Sequence, residues 1–219
     1  MPNRHRNGGH VSSQSSFGEK IKEAYLESAE FFAKLVDGVD IDAWEEHALG
    51  QWTLRDLAGH TYRSISTVVG YSEKPALQVD VESTTQWILN VRQNANPDRV
   101  AELGRSAGLE IMDSPTMMVR GFLNMAKERV NDLDDDFILA TPQGGMRLID
   151  YLQLRTMELV IHGGDFARAL GVEATPPHSG MQVALQVLAG VAVAEGRGPA
   201  LASALTGRTV LPAGYNLLI

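Results

Sequence analysis

Four residues in one short stretch, Arg155, Glu158, His162 and Asp165, are of types that carry charge, bind metals or move protons. They recur at steps of three, four and three. At about 100° per residue they fall within an arc of about 80° on one side of a helix. Leu152, Leu159 and Phe166 flank that arc on one side and Leu154 and Ile161 on the other, while Asp150, Gln153, Gly164 and Arg168 make the opposite, solvent side. A polar row inside a buried arc needs partners, because an isolated buried charge costs roughly several kcal/mol even after relaxation. Three arrangements are open. In the first, Arg155 pairs with Glu158 or Asp165 and His162 is hydrogen-bonded. In the second, the row is part of a metal site. In the third, it is an ordinary exposed stripe. The metal reading draws on Glu158 and His162, which stand at i and i+4 and converge on one point. Imidazole with carboxylate suits Zn²⁺ or another divalent first-row ion.

Two ligands are too few, so a third must come from another element. His60, in LRDLAGHTYRS, is the remaining histidine on a long helix that can face this one across a bundle. It borders the core face made by Leu54, Leu57, Ile65 and Val68, in line with Asp56, Thr67 and Tyr71, and a surface or packing role competes with ligation. His47 has no partner at helical spacing, and His178 follows Pro176-Pro177, where it flanks a later helix. His5 and His10 sit in a polar arm too loose to make a good site. Two histidines and one glutamate would leave one coordination position open on zinc, as in catalytic rather than closed structural sites.

The elements that must position these residues read as helices. Phe17, Ile21, Ala24, Tyr25, Ser28, Phe31, Phe32 and Leu35 recur at helical steps, with Gly38 as a stop. Thr53-Leu54-Arg55-Asp56 fits a capping box that opens a helix running to about Tyr71. WEEHALGQW (44–52) reads as a connection or a short helical turn. Residues 82–108 read as one or two shorter helices broken at Asn96-Pro97. Ser114-Pro115 reads as a cap and first-turn proline ahead of a third long helix. NDLDDDF (131–137) reads as a solvated acidic linker, since it lacks the glycine turn and distal glutamate of a twelve-residue calcium loop. TPQGG (141–145) is turn chemistry. A fourth long helix spans about Met146 to Leu170, closed by Gly171, and a fifth spans about 179–195. The expectation is an all-α helical bundle: a disordered arm at 1–16, the metal-binding bundle at 17–175 and a short C-terminal helical extension at 176–219.

Composition narrows the partners. The 219 residues carry a net charge of −8 and no cysteine. Disulfides, thiolate ligands and a cysteine nucleophile are excluded, and any thiol chemistry requires a thiol from outside the chain. Acidity without a basic patch argues against nucleic acid. No stretch approaches the roughly 20 apolar residues of a membrane span, and the N-terminus lacks the apolar centre of a secretory signal, so a cytoplasmic location is expected. A homodimer through exposed apolar helix faces is compatible with the sequence, which names no residue for it.

WTLRDLAGH (52–60) and GGMRLIDYLQLRTMELVIHGGDFARALG (144–171) resemble the mycothiol-dependent maleylpyruvate isomerase family, part of the wider DinB-like group of four-helix metalloproteins. The resemblance covers most of residues 17–171. It implies a DinB-like four-helix bundle, with the metal, usually zinc, on His60, Glu158 and His162. It also implies mycothiol, a low-molecular-weight thiol, as co-substrate for isomerisation or S-transfer on a small electrophile. Arg155 and Asp165 match family positions too. Catalytic roles are expected for both, with Asp165 orienting His162 or pairing with Arg155. Family isomerases often carry a larger C-terminal domain, whereas only residues 178–219 follow Pro177 here; Arg208 in that tail reads as a surface residue. The competing functions are a hydrolase using a zinc-bound water and a non-enzymatic metal-binding bundle.

Overall fold

The computed structural model describes residues 16–94 and 96–218. The expected disordered arm, with His5 and His10, lies outside the described residues except for Ser16. Ser16 caps α1 (Phe17–Asp37): its hydroxyl accepts from the Glu19 N–H while the Glu19 carboxylate accepts from the Ser16 N–H. The same reciprocal pair, Thr53 with Asp56, opens α2 (Leu54–Ser72). Then come α3 (Thr84–Gln93) and α4 (Pro97–Ile111), parted at Asn96, whose side chain caps the Arg99 N–H. α5 (Pro115–Asp132) begins with proline as expected, but the Ser114 hydroxyl donates to the Asp113 carbonyl and caps nothing. α6 (Leu148–Ala169), α7 (His178–Ala194) and α8 (Gly198–Leu205) complete the helices.

Two small hairpins depart from the purely helical reading and leave the class all-α. Residues 44–52 are not helical. They lead from a 3₁₀ turn at Ile41–Ala43 into β1 (His47–Leu49) and β2 (Trp52–Thr53), reversed at Gly50 with φ of 60°. β3 (Ile138–Thr141) pairs antiparallel with β4 (Gly144–Arg147), so α6 starts at Leu148 and not at Met146. The turn between them needs Gly144 at φ of 108°. A third segment supports this hairpin from outside: the Asp80 carboxylate accepts the Gly145 N–H at 2.7 Å, and Val81 and Ala76 donate to Gly145 and Ile138 carbonyls. Strands of four residues or fewer are too short to show alternation, and the segment that supports the second hairpin lies about 60 positions away. The acidic linker 131–137 lies at the surface, with Asp135 on Lys22 at 3.0 Å and Asp136 near Arg147.

The long helices pack in the cyclic order α1, α6, α2, α5, each against its two neighbours. Tyr25, Phe32, Tyr62, Tyr151 and Phe166 fill the centre together with Leu54, Leu57 and Leu123, all almost fully buried. α7 covers α1 and α6 through Val183, Val187 and Val191, which join the same core. α4 lies against α2 at very short range. A methyl group added at Gly59 would overlap the backbone of Gly108, and one at Gly108 would meet the Arg55 carbonyl at 2.7 Å. No helix among the described residues is long and apolar enough to cross a membrane.

Candidate metal centre

α2 and α6 are adjacent in the bundle, and their facing sides bring His60, Glu158 and His162 together. One donor atom from each lies within 4.8 Å of the other two. Glu158 Oε2 is the pivot, 3.5 Å from His60 Nε2 and 3.4 Å from His162 Nε2. These separations are long for strong hydrogen bonds. They match the spacing of about 3.3 Å between neighbouring ligand atoms around a tetrahedral ion with bonds of about 2.0–2.1 Å. The donor set, two neutral-capable imidazoles and one carboxylate, therefore fits a divalent first-row cation in both chemistry and geometry. The three side chains are 18%, 22% and 18% exposed, which keeps the centre largely dry yet reachable by a small molecule.

Both histidines are held by a group behind them. His162 Nδ1 lies 3.2 Å from Asp165 Oδ2, which leaves Nε2 facing the centre. Asp165 Oδ1 in turn accepts from Arg168 at 2.8 Å. Of the two partners expected for Asp165, the structure shows His162. Arg155 makes no ion pair among the described residues: its Nε is buried without a hydrogen-bond partner and its guanidinium lies over the Tyr151 ring, 4.9 Å from the centroid. The expected pairing of Arg155 with Glu158 or Asp165 is absent because the side chain runs back one turn along α6. His60 is held by the Trp52 indole, 4.7 Å between ring centroids, at the end of the first hairpin. Trp52 lies against α4 where a methyl at Gly104 would already touch it at 3.3 Å.

The electrostatics follow from this layout. Burial pushes the Glu158 carboxyl upward, but the two imidazoles, with Arg155 adding its charge, hold it well below the usual carboxylate range. Burial pulls His162 downward, yet Asp165 and Glu158 raise it to about 9. For His60 burial wins over Glu158, and its pKa is lowered.

The other two histidines among the described residues stand apart. His47 is exposed on β1, with Nε2 2.9 Å from the Gly50 carbonyl, and His178 is exposed at the start of α7. Arg208 is exposed beyond α8. The sequence reading assigned no role to Trp52 as the ring behind His60. It likewise missed Trp87 and Val91 of α3, which stand one turn apart. Together with Leu154 and Met157 they line a cavity of about 70 Å³ that reaches Glu158. Apolar residues at i and i+4 on a short helix carry no signal that distinguishes a site wall from core.

The fold has known counterparts. The crystal structure of the mycothiol-dependent maleylpyruvate isomerase is similar at a TM-score of 0.51 and 18% identity, covering 78% of this chain and 68% of that one. A histidine-to-alanine mutant of that isomerase gives the same values. At this identity the likeness is one of fold. No curated protein matches the chain. The family model described as the mycothiol maleylpyruvate isomerase N-terminal domain matches residues 25–167, more than half the chain, and the chain belongs to that family.

Proposed function

We propose that His60, Glu158 and His162 hold a divalent cation of the zinc type, and that the chain uses it with a low-molecular-weight thiol, mycothiol, on a small electrophile. The reaction is isomerisation, by reversible thiol addition across a conjugated double bond, or S-transfer, in which the sulfur stays attached. The observation that carries the reading is the placement of three donor atoms within 4.8 Å, from helices contributing ligands nearly 100 positions apart. When bound, such a cation lowers the pKa of a coordinated thiol, so that a thiolate exists at neutral pH.

The chain's own residues prepare that chemistry. Asp165 stands at Nδ1 of His162, so that with a cation bound the ring proton would sit toward Asp165 and the Nε2 lone pair would face the centre. His162 and His60 hold Glu158 ionised, and Arg155, which has no ion pair among the described residues, adds its charge to theirs. Trp52 shields His60, and Trp87, Val91 and Leu154 keep the approach to Glu158 apolar. The absence of cysteine means that no thiol of the chain competes for the site.

The test has two readouts. Metal analysis of the purified protein is expected to give about one divalent ion per chain, lost in His162→Ala. A mycothiol-consumption assay over a panel of conjugated enones and strained-ring electrophiles is expected to show turnover that chelator abolishes. Ion content near zero would reduce the trio to a paired polar network; ion present with turnover of esters or amides and no response to thiol would select the hydrolase.

A further inference from the structure

After α8 the sequence GRTVLPAGY (207–215) holds two glycines and a proline, which end the helix, and Leu217-Leu218 then returns to apolar types. No helix or strand forms among the described residues beyond Leu205. The chain runs exposed from Thr206 to Gly214 and then turns inward. Tyr215 is half-buried, Leu217 is 9% exposed within the main core, and Leu218 packs against that core. Leu218 is also a wall of the cavity that reaches Glu158, where it joins Trp87 and Val91 of α3 and Leu154 and Met157 of α6. Residues 215–218 thus lie as a strap over the side of the cavity that the long helices leave open.

The strap is anchored outside the cavity. Arg197, just before α8, donates to the Asn216 carbonyl at 2.6 Å and lays its guanidinium over the Tyr215 ring, 4.0 Å from the centroid. Glu195 accepts from Arg197 at 3.3 Å and also from Arg92 of α3, so the anchor is tied to the helix that carries Trp87 and Val91. Against this, the Tyr215 hydroxyl is buried without a hydrogen-bond partner among the described residues, which costs free energy while the strap is seated. A segment outside regular structure with such an unsatisfied group opens locally, at less cost than unfolding the bundle. Seated, it leaves the cavity at about 70 Å³, whereas sites that take small molecules are typically about 300–1,000 Å³. Apart from Glu158 the lining is apolar.

We propose that Tyr215–Leu218 is a releasable strap, and that its release opens beside Glu158 a subsite for an uncharged aromatic or aliphatic group of the molecule that reacts there. The role in the reaction rests on the function proposed above; the strap and the subsite do not.

The three tryptophans supply the test. In the full chain labelled with 5-fluorotryptophan, Trp87 reports the cavity, Trp52 reports the metal centre through His60, and the buried Trp44 reports the core. Arg197→Ala and Tyr215→Ala, neither in the cavity lining, are expected to move the Trp87 fluorine resonance toward its position in a chain shortened to end at Gly214, with Trp44 unmoved. Should the shortened chain move Trp44 as well, the two point variants carry the comparison with wild type. The ligand probe is benzylideneacetone, an uncharged aromatic enone that finds no cysteine in the chain to alkylate. A ligand that needs a minor state binds more weakly by the fraction of that state, so the shortened chain is expected to bind the probe at least about tenfold more tightly than wild type, and Arg197→Ala to recover part of that gain. A Trp87 resonance that no variant moves, or equal affinity in wild type and the released forms, would overturn the strap; Zn²⁺ still moving Trp52 would then leave the metal centre standing. Release that alters Trp87 and probe binding while Zn²⁺ leaves Trp52 unmoved would uphold the strap and remove the metal-dependent reaction. With both in place, a KM for benzylideneacetone that Arg197→Ala does not lower would overturn the part of the subsite in the reaction.

Discussion

Asp165 and Glu158 act on the two nitrogens of the same imidazole, and the His162 ring is useful only if both hold it in place. Replacing Asp165 by Asn keeps the size but removes the charge that orients the Nδ1 proton. Losses of about 10- to 100-fold in metal affinity are typical when such an outer partner is removed, and competition titration with a chromophoric chelator measures this directly. His60 depends on packing instead. Trp52→Leu is expected to loosen the ring behind His60 and weaken metal binding by about tenfold, whereas Trp52→Phe retains most of it. A Co²⁺-loaded sample would report the same change as an altered visible spectrum, which a general loss of stability would not produce. At this scale the sequence was largely legible. Helical spacing put Glu158 and His162 on one face, and the core face of α2 left His60 at its border. Which partner Asp165 takes was not legible, since Arg155 and His162 are both within helical reach; the direction of the Arg155 side chain, back over Tyr151, decided it.

At the scale of elements, the site depends on how closely α4 approaches α2. Gly59 and Gly108 make the approach possible, and Gly104 leaves Trp52 its room beside His60, since a Cβ there would press on the indole at 3.3 Å. Gly108→Ala is expected to destabilise the fold by about 1–3 kcal/mol or more by forcing the helices apart, against a background gain in helix propensity of up to about 1 kcal/mol. Urea denaturation would show the net sign: a stabilised Gly108→Ala would mean that the close contact does not limit how α4 packs on α2. The second hairpin depends on Asp80, whose pKa is lowered by the Gly145 N–H and the Gln78 amide. That carboxylate contributes stability above its unfolded pKa, about 3.9, and the contribution disappears as pH falls through the lowered folded value. The wild type should therefore exceed Asp80→Asn in denaturation midpoint at pH 7 and converge with it by about pH 2. An unchanged gap at low pH would assign the effect to the amide itself. The cap at Thr53 was readable from local chemistry, whereas Ser16 reads in the sequence as part of the arm; the hairpins were not readable, because their strands are too short to alternate and the second is held by residues 76–81, far along the chain.

For the whole molecule, the metal is expected to be a stabilising ligand. An ion that binds the folded chain and not the unfolded one raises stability by about 2.7 kcal/mol at a hundredfold excess over its dissociation constant. Chelator-treated protein should melt several degrees lower than the loaded form, and His60→Ala should melt at one temperature with or without ion. An identical response in wild type and His60→Ala would place the ion elsewhere. Periodicity, caps and turn residues act within a few positions of one another, so the chain alone determined that it is all-α, where most helices begin and end, and which face of α6 carries its charge. Residue types and spacing nominated the ligands by the same short-range logic. Only the tertiary structure decided that α2 and α6 face each other with three donor atoms within 4.8 Å, and that an indole seats one histidine. Those outcomes depend on close packing between segments far apart in sequence, where the shape of each neighbour selects the rotamer, and no local pattern encodes that choice.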